Sequence, residues 1–421
     1  MKTSIKLTIA GLLFLAAVPI RAEVYMDGFL QGLYGARLDE NNPTATEQTA
    51  SETRLQLRLE HIGEVGEFFG RVDFTYDDAD SAGTDLELRE GYMKFRLGSS
   101  LDFKVGRQII TWGTGDLIFI NDVFAKDYRS FFVGRDDQYL KAPQNAIRTD
   151  FYPGQLGSIS FVWTPRFEPN RLPTGRKLSY YNGQTIVGEG YYFDVPAPDA
   201  KFENGEFAFR YSRQVGNFTS ALYFYKGFYK NPRGVKIIAT EEGSTMMPFY
   251  PELNVYGASV RGPLLGGILW LEGGYFDSRQ DRHGDDPLIP NSSATGMIGF
   301  ERQVARNLTI NGQWQVDYMT DYDKFEAEMA GSGMYVRDEV RHLLTSRITR
   351  LLMRENLTLS GFIFYSPSDE DWYLRTSAAY KYSDELELAV GANVFDGSHE
   401  STDYGQFQKN DNVYLKMTYG F

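Results

Sequence analysis

The chain has 421 residues, no cysteine and a formal net charge of −13, with 56 Asp and Glu against 43 Lys and Arg. The lack of cysteine excludes disulfides and a lipoprotein anchor, and the acidic balance without a basic low-complexity tail argues against a nucleic-acid partner. A mean hydropathy of −0.38 argues against a bundle of transmembrane helices, although aromatic residues make up 15% of the chain.

The N-terminus has the pattern of a secretory signal peptide. Two lysines precede an apolar run from Leu7 to Ile20, and the small residue Ala22 follows. The run is shorter than the roughly 20 residues that span a membrane, which argues against an N-terminal anchor. We therefore expect cleavage after Ala22, with residues 1–22 removed and residues 23–421 forming a single domain.

The rest of the chain consists of period-2 segments separated by turn residues. In the second segment Leu55, Leu57 and Leu59 alternate with charged and amide side chains, which predicts a strand with one apolar and one polar face. Eighteen such strands are predicted, namely Val24–Leu38, Thr53–Ile62, Phe68–Tyr76, Leu86–Leu97, Leu101–Trp112, Ala146–Tyr152, Ser158–Thr164, Gly205–Gln214, Phe218–Lys226, Leu253–Arg261, Gly267–Asp277, Ala294–Val304, Asn307–Met319, Glu339–Leu352, Leu357–Tyr365, Trp372–Tyr382, Leu386–Phe395 and Asn412–Phe421.

The links between these strands alternate between short and long, which is typical of a transmembrane, antiparallel, up-and-down β-barrel. An all-β barrel of about 18 strands is predicted, and 16 strands remain open if Ala146–Thr164 or Glu339–Leu352 is misassigned. The apolar phase changes near Glu90, which predicts a β-bulge there.

The polar face of the first five strands carries mixed charge. Its basic members are predicted to line a pore; they are Arg54, Arg58, Arg71, Lys94, Arg96 and Lys104. Two interpretations remain open. The basic strip could steer anions through a passage of low dielectric constant, or it could form cross-strand ion pairs with the acidic residues beside it.

The longest aromatic-rich link, residues 113–145, is predicted to fold into the barrel mouth as a constriction loop. Links of this length are usually functional, and Phe119, Phe131 and Phe132 give it apolar surface to bury. Asn121 is predicted to cap a short helix over Asp122 to Phe132. The polar and aromatic candidates within the loop are Asp116, Asp122, Phe124, Asp127, Arg129 and Arg135.

The chain finishes on an apolar stripe of Val413, Leu415, Met417, Tyr419 and Phe421. This strand resembles the C-terminal strand of bacterial outer-membrane β-barrels. The resemblance implies that Tyr419 and Phe421 belong to a signal read by the barrel-assembly machinery.

The strand from Gly106 to Gly113, Gly-Arg-Gln-Ile-Ile-Thr-Trp-Gly, resembles porin-like outer-membrane families, including the alginate-export and phosphate-selective types. The resemblance implies a Gram-negative outer-membrane location, contact with lipid and lipopolysaccharide, and passage of small hydrophilic solutes, with anions as one candidate class. A second hypothesis is a sheath around a partner such as a multihaem cytochrome or an export machine. An oligomeric assembly is left open.

We expect no enzyme, cofactor or metal site. His399 lies in a stretch with Ser, Asp and Glu, but these residues are adjacent in one loop, whereas catalytic triads gather residues from separate elements. His283 lies beside three aspartates and is either a metal ligand or a loop histidine. The acidic external links either bind Ca²⁺ or Mg²⁺ shared with lipopolysaccharide or are simply solvated.

Overall fold

The computed structural model describes residues 24–44, 46–80, 83–240, 243–330 and 335–421. The predicted signal peptide, residues 1–22, lies outside these residues. Strands are numbered β1 to β22 along the chain. Eighteen of them form one closed antiparallel sheet: β1 Val24–Arg37, β2 Gln48–Ile62, β3 Glu67–Asp77, β4 Thr84–Leu97, β5 Leu101–Gln108, β6 Gln144–Phe151, β7 Ser158–Thr164, β10 Glu206–Val215, β11 Phe218–Phe228, β14 Glu252–Leu264, β15 Gly267–Ser278, β16 Ser293–Ala305, β17 Leu308–Met319, β18 Val340–Leu352, β19 Leu357–Ser366, β20 Asp371–Lys381, β21 Leu386–Gly397 and β22 Asn412–Gly420.

Each of these strands pairs with its neighbours in chain order, and β1 pairs with β22 to close the barrel. The prediction of an all-β, 18-stranded, up-and-down barrel is confirmed. Two small hairpins lie in the links, formed by β8 Tyr180–Tyr181 with β9 Ile186–Val187 and by β12 Gly234–Thr240 with β13 Gly243–Phe249.

Helices are short and lie in the links. In the described ranges of the chain, two α-helices span Tyr128–Phe131 and Tyr322–Met329, and four single 3₁₀ turns span Asp137–Leu140, Gly154–Leu156, Phe202–Asn204 and Gly405–Phe407. Among the described residues, no helix has the length and apolarity needed to cross a membrane.

The period-2 pattern has placed side chains on two faces of the wall. On β22, Leu415 is 62% exposed on the outside, whereas its neighbours Tyr414 and Lys416 point inwards. On β2, Leu59 is exposed outside while Arg54 is buried inside. An outward face of this kind suits lipid, because every backbone group of the closed sheet can be paired within the wall.

The predicted bulge in β4 is confirmed. Glu90 pairs with Arg71 and Leu88 pairs with Val72, which leaves Arg89 as the extra residue. Because one residue is inserted, the inward-facing side chains have odd numbers before the bulge, as at Glu87, and even numbers after it, as at Glu90. The side chain of Arg89 is buried and donates to the carbonyls of Gln138 and Lys141 in the link that follows β5.

The strand predicted to run to Trp112 ends at Gln108. Gly106 has φ of 131°, and a Cβ there would lie 2.3 Å from the carbonyl oxygen of Gly91. From this point the chain turns away from the sheet, and Ile110 and Trp112 are buried against inward-facing residues such as Val162 and Tyr223. The apolar core of the protein therefore lies inside the barrel.

Candidate functional site: the lumen and its inward-folded loop

The link between β5 and β6 crosses the interior of the barrel. We call residues 113–145 the inward loop, since its side chains bind inward-facing residues of both halves of the wall. Gly113 opens it with φ of +79°, where a Cβ would lie 2.8 Å from Oε1 of Glu272. Only glycine allows the backbone to pass this close to β15 in that conformation.

Glu272 of β15 anchors the first part of the loop. Its Oε2 accepts hydrogen bonds from the backbone N of Thr114 at 2.5 Å and from Oγ1 of the same residue at 2.7 Å. Its Oε1 accepts from the backbone N and the Nδ2 of Asn121 at 2.8 and 3.1 Å. Four donors therefore surround a carboxylate that is 5% exposed, which offsets the cost of burying its charge.

Asp116 binds the wall on β17 and β18. Its carboxylate receives two bonds from Arg347, at 2.8 Å from Nε and 3.0 Å from a terminal nitrogen, and a third from Asn311 at 2.7 Å. Its backbone exchanges hydrogen bonds with the amide of Gln313 at 2.7 and 2.8 Å. The planar fork of arginine matches a carboxylate, so this contact sets orientation as well as position.

The middle of the loop is held by aromatic packing. Phe131 and Phe132 meet the ring of Tyr373 edge-on, with centroids 5.7 and 5.5 Å apart, and Phe132 meets Phe395 in the same way at 5.4 Å. Tyr373 is fully buried and stacks on Phe395 at 4.4 Å. Loop and wall thus share one apolar cluster, which also includes Ile118, Ile120, Leu140 and Trp270.

The helix prediction in this segment is wrong in its extent and its cap. The helix covers only Tyr128–Phe131, and Asp127 caps it by accepting from the backbone N of Ser130 at 2.9 Å. Asn121 does not cap a helix because its side chain is used by Glu272 and by the carbonyl of Gly273. A wall partner more than a hundred residues away in sequence has overridden the local capping preference.

The last part of the loop is attached by ion pairs. Asp137 pairs with Arg375 of β20 and, at 3.3 Å, with Arg347. Burial opposes ionisation of Asp137, but the two guanidinium groups more than offset it and hold the pKa of the carboxyl below its usual range. Arg135 pairs with Glu52 of β2, and Asp136 pairs with Lys416 of β22.

Tyr139, near the end of the inward loop, contacts side chains of β2 and β4. Its hydroxyl accepts from Nε2 of Gln56 at 3.0 Å, and its ring lies 4.3 Å from the guanidinium carbon of Arg54 and 4.5 Å from that of Arg89. Burial raises the pKa of Tyr139 to about 12, so the phenol stays protonated.

The remaining predicted loop residues contact one another, the segment after β5 or the link that follows β7. Asp122 pairs with Lys126 at 3.0 Å and accepts from Thr111, and Phe124 packs edge-on against Trp112 with centroids 5.1 Å apart. Asp127 also pairs with Arg171 at 3.3 Å, and Arg129 donates to the carbonyl of Leu172.

Every member of the predicted basic strip has a carboxylate nearby. The pairs are Arg54 with Glu52 and Asp73, Arg58 with Asp27, Arg71 with Glu90, Lys94 with Glu67, Arg96 with Asp102, and Lys104 with Glu90. Distances run from 2.5 to 3.9 Å. Arg54 is only 3% exposed and lies under Tyr139. The geometry of the strip therefore resembles the ion-pair ladder, although its part in lining a pore stays a prediction.

Two inward-facing arginines on the strands after β7 have no carboxylate within 4.0 Å among the described residues. Arg210 of β10 lies 5.8 Å from the ring of Tyr223, and Arg261 of β14 lies 5.7 Å from that of Trp270. Sequence reasoning missed them, together with Arg347 and Arg375, because it considered charge only in the first five strands. The same inward parity, followed along the strands after β5, would have found all four.

The end of the chain completes the barrel seam. Phe421 exchanges two backbone hydrogen bonds of 3.0 Å with Gly28 of β1, and its ring covers that glycine. Phe421 and Tyr419 are 54% and 50% exposed on the outer face. Their role as an assembly signal stays a prediction.

The segments around His399 and His283 make ring contacts, ion pairs and hydrogen bonds with neighbouring residues of the links. The ring of His399 lies 4.7 Å from Tyr335, and Asp403 pairs with Arg341 at 2.6 Å. The carbonyl of His283 accepts from Lys324, which also pairs with Asp285. In the part of the chain that the structure describes, no group of three or more His, Asp or Glu residues is arranged to hold a metal ion.

Comparison with known proteins decides the family. Residues 30–270 match the model of the family DUF1302, whose description is "protein of unknown function". The chain belongs to the DUF1302 family. No curated protein matches this DUF1302 chain.

Solved structures share the fold of this family member. OccAB4 of Acinetobacter baumannii has a TM-score of 0.57 at 11% identity, over 96% of this chain and 100% of that one. OccK2 of Pseudomonas aeruginosa, solved in complex with glucuronate, has a TM-score of 0.57 at 10% identity, over 95% and 98%. OccK3 of the same organism reaches 0.55 at 11% identity, over 95% and 96%. At this level of identity the likeness shows that the chain shares their β-barrel fold.

Proposed function

We propose that this protein is an outer-membrane channel for small hydrophilic solutes and that the inward loop is its constriction. One observation carries the proposal: within a closed barrel, the loop binds inward-facing residues of β2, β15, β18, β20 and β22. A loop attached on several sides of a lumen narrows it without being free to swing out. The shared fold with outer-membrane porins supports both the location and the activity.

Anions are the solute class we propose. Arg210 and Arg261 face inwards without a carboxylate within 4.0 Å among the described residues, whereas the six members of the predicted basic strip are paired with carboxylates. Unpaired cations in a narrow passage attract anions. The strand Gly106–Gly113 resembles that of alginate-export and phosphate-selective porins, and OccK2 was solved with glucuronate; all three solutes are anions.

The sheath hypothesis is less well supported. A barrel that encloses a partner protein needs an unobstructed lumen, and here the lumen holds the apolar cluster of Phe131, Phe132 and Tyr373. The partners we propose are therefore membrane lipid, lipopolysaccharide, the barrel-assembly machinery and a small solute.

The test is conductance in planar bilayers, measured on the full mature chain. We expect discrete channels and, in a salt gradient, a reversal potential that indicates anion preference. The double variant Arg210→Gln/Arg261→Gln should shift that potential towards cations. The matched control Lys201→Gln/Lys236→Gln removes two exposed external cations and should leave it unchanged. A protein that is folded by heat modifiability but silent in the bilayer would refute the channel proposal.

A further inference from the structure

Four arginines gather at one side of the barrel, at the end where the short turns and Phe421 lie. They are Arg302 on β16, Arg306 in the turn to β17, Arg350 on β18 and Arg354 in the turn to β19. We call them the rim patch. No carboxylate lies within 4.0 Å of any of them among the described residues, so the protein itself does not pair their charges.

The two strand arginines of the rim patch face away from the lumen. On β16, Met297 is buried in the interior cluster, and Arg302 has the opposite parity. On β18, Arg347 binds the inward loop, so Arg350, three residues further on, faces outwards. The guanidinium of Arg302 lies beside the turn between β14 and β15, about where a Cβ on Gly266 would meet it at 3.7 Å.

The rim patch is compact. Arg302 pairs with Ile310 of β17 and Arg350 pairs with Leu308 of the same strand, so β17 alone separates the two arginines. Neighbouring strands are about 4.8 Å apart, which sets β16 and β18 about 10 Å apart across the sheet. Nη1 of Arg350 donates to the carbonyl of Arg306 at 2.9 Å and thereby brings the turn next to β18.

The outer wall beside the rim patch is apolar towards its middle. Ile298, Trp314 and Ile348 of β16, β17 and β18 are 44%, 46% and 49% exposed on this face. A row of cations at the end of a lipid-facing surface lies at the level of the lipid headgroups. Guanidinium groups match phosphate oxygens in geometry as well as in charge.

The same end of the barrel is charged differently on the opposite side. There Lys94 pairs with Glu67 at 3.2 Å, and Arg96 pairs with Asp102 at 2.5 Å. These cations already have carboxylate partners. Free positive charge at this end is therefore concentrated on the β16–β18 side.

We propose that the rim patch binds the phosphate of an anionic phospholipid, such as phosphatidylglycerol, in the periplasmic leaflet. The proposal rests on the proposed outer-membrane location, in which short turns face the periplasm. A zwitterionic lipid would place its ammonium group beside the guanidinium groups, which repel it. The carboxylates nearest in sequence, Glu301 and Glu355, are outnumbered by the four arginines and pair with none of them.

The test uses a site-specific fluorescent label, because the chain has no cysteine and one introduced thiol takes one label. Ile310→Cys places the label between the two strand arginines. Gly70→Cys places it on the outer face of β3 across the barrel, where a Cβ would meet nothing within 4 Å. The full mature chain is reconstituted in phosphatidylcholine vesicles that contain a minority of brominated phosphatidylglycerol. We expect bromine to quench the label at position 310 more strongly than the label at position 70.

Charge variants in the Ile310→Cys chain identify the cause of the difference. Arg302→Gln/Arg350→Gln should lower the preference for phosphatidylglycerol about fivefold per arginine, the value of one basic residue near an anionic surface. Arg302→Lys/Arg350→Lys keeps the charge and should retain most of the preference. The matched control Lys201→Gln/Lys236→Gln removes two exposed external cations and should leave the quenching unchanged.

Equal quenching at positions 310 and 70, or equal losses in the glutamine and lysine pairs, would overturn the proposal. Conductance of the same preparations keeps it separate from the channel. Because the strand arginines face away from the lumen, the glutamine pair should conduct as the wild type does. Channels without a preference for phosphatidylglycerol refute only the lipid site, and a preference without channels refutes only the channel.

Discussion

Asp116 and Arg347 are 231 residues apart in sequence, and the guanidinium of Arg347 binds both carboxylate oxygens of Asp116 at 2.8 and 3.0 Å. The same guanidinium reaches Asp137 at 3.3 Å. One side chain of β18 therefore binds residues near both ends of the inward loop. Substituting Arg347 is the most direct single change with which to loosen the proposed constriction.

Arg347→Gln should loosen the loop and raise single-channel conductance. The change leaves Asp116 without its cation and leaves Asp137 with Arg375 alone. The expected loss of stability is about 1.5–3 kcal/mol, the range for hydrogen bonds to charged groups. Arg350→Gln, on the opposite face of the same strand, is the control and should preserve conductance. An Arg347 variant with normal conductance but reduced thermal stability would mean that the loop does not limit ion flow.

Acid should loosen the loop in a defined window. Since its two arginines hold the pKa of Asp137 below the usual range, the pair contributes its full stabilisation above the unfolded-state pKa of about 3.9 and loses it as pH falls through the lowered value. We expect conductance recorded between pH 6 and pH 3 to rise only below about pH 4. Asp137→Asn should already show the raised level at pH 6, whereas Asp384→Asn, in an exposed turn, should follow the wild type.

Leu415→Arg should destabilise the barrel by about 2–4 kcal/mol if the residue lies near the middle of the bilayer. Leu415 is 62% exposed on the outer face, so an arginine there would have to enter lipid. Leu156→Arg, in an exposed turn at the end that carries Phe421, should cost about 0–1 kcal/mol, as expected near an interface. Urea unfolding in lipid vesicles measures both. Equal and small effects would contradict a lipid-facing β22.

Deletion of Phe421 should lower the amount of heat-modifiable protein in the outer membrane. The deletion removes two backbone hydrogen bonds to Gly28 as well as the terminal ring. Phe421→Ala separates these contributions, because it keeps the backbone and loses only the ring. If the alanine variant assembles normally and the deletion does not, seam closure matters rather than recognition of the aromatic residue.

The strands could be predicted from local patterns because a barrel wall obeys a local rule. Each residue of β2 or β22 faces either lipid or lumen, and this alternation repeats every two residues whatever the partner strand is. The bulge at Arg89 was equally visible, since one inserted residue reverses the phase. Counting the period-2 segments for the same reason predicted about 18 strands with 16 left open, and the closed sheet has 18.

The boundary at Gln108 and the attachments of the loop were decided by tertiary structure. Ile109 to Trp112 continue the strand pattern in sequence, but they leave the sheet because the interior offers buried partners such as Val162 and Tyr223. The aromatic composition of the inward loop predicted that the loop would be buried, but it did not predict which strands the loop would contact. Glu272, Arg347 and Arg375 became its partners only when the closed sheet brought β15, β18 and β20 around it. Ion pairs and ring contacts act over a few ångströms in space, and no periodicity along the chain encodes which distant strands will meet.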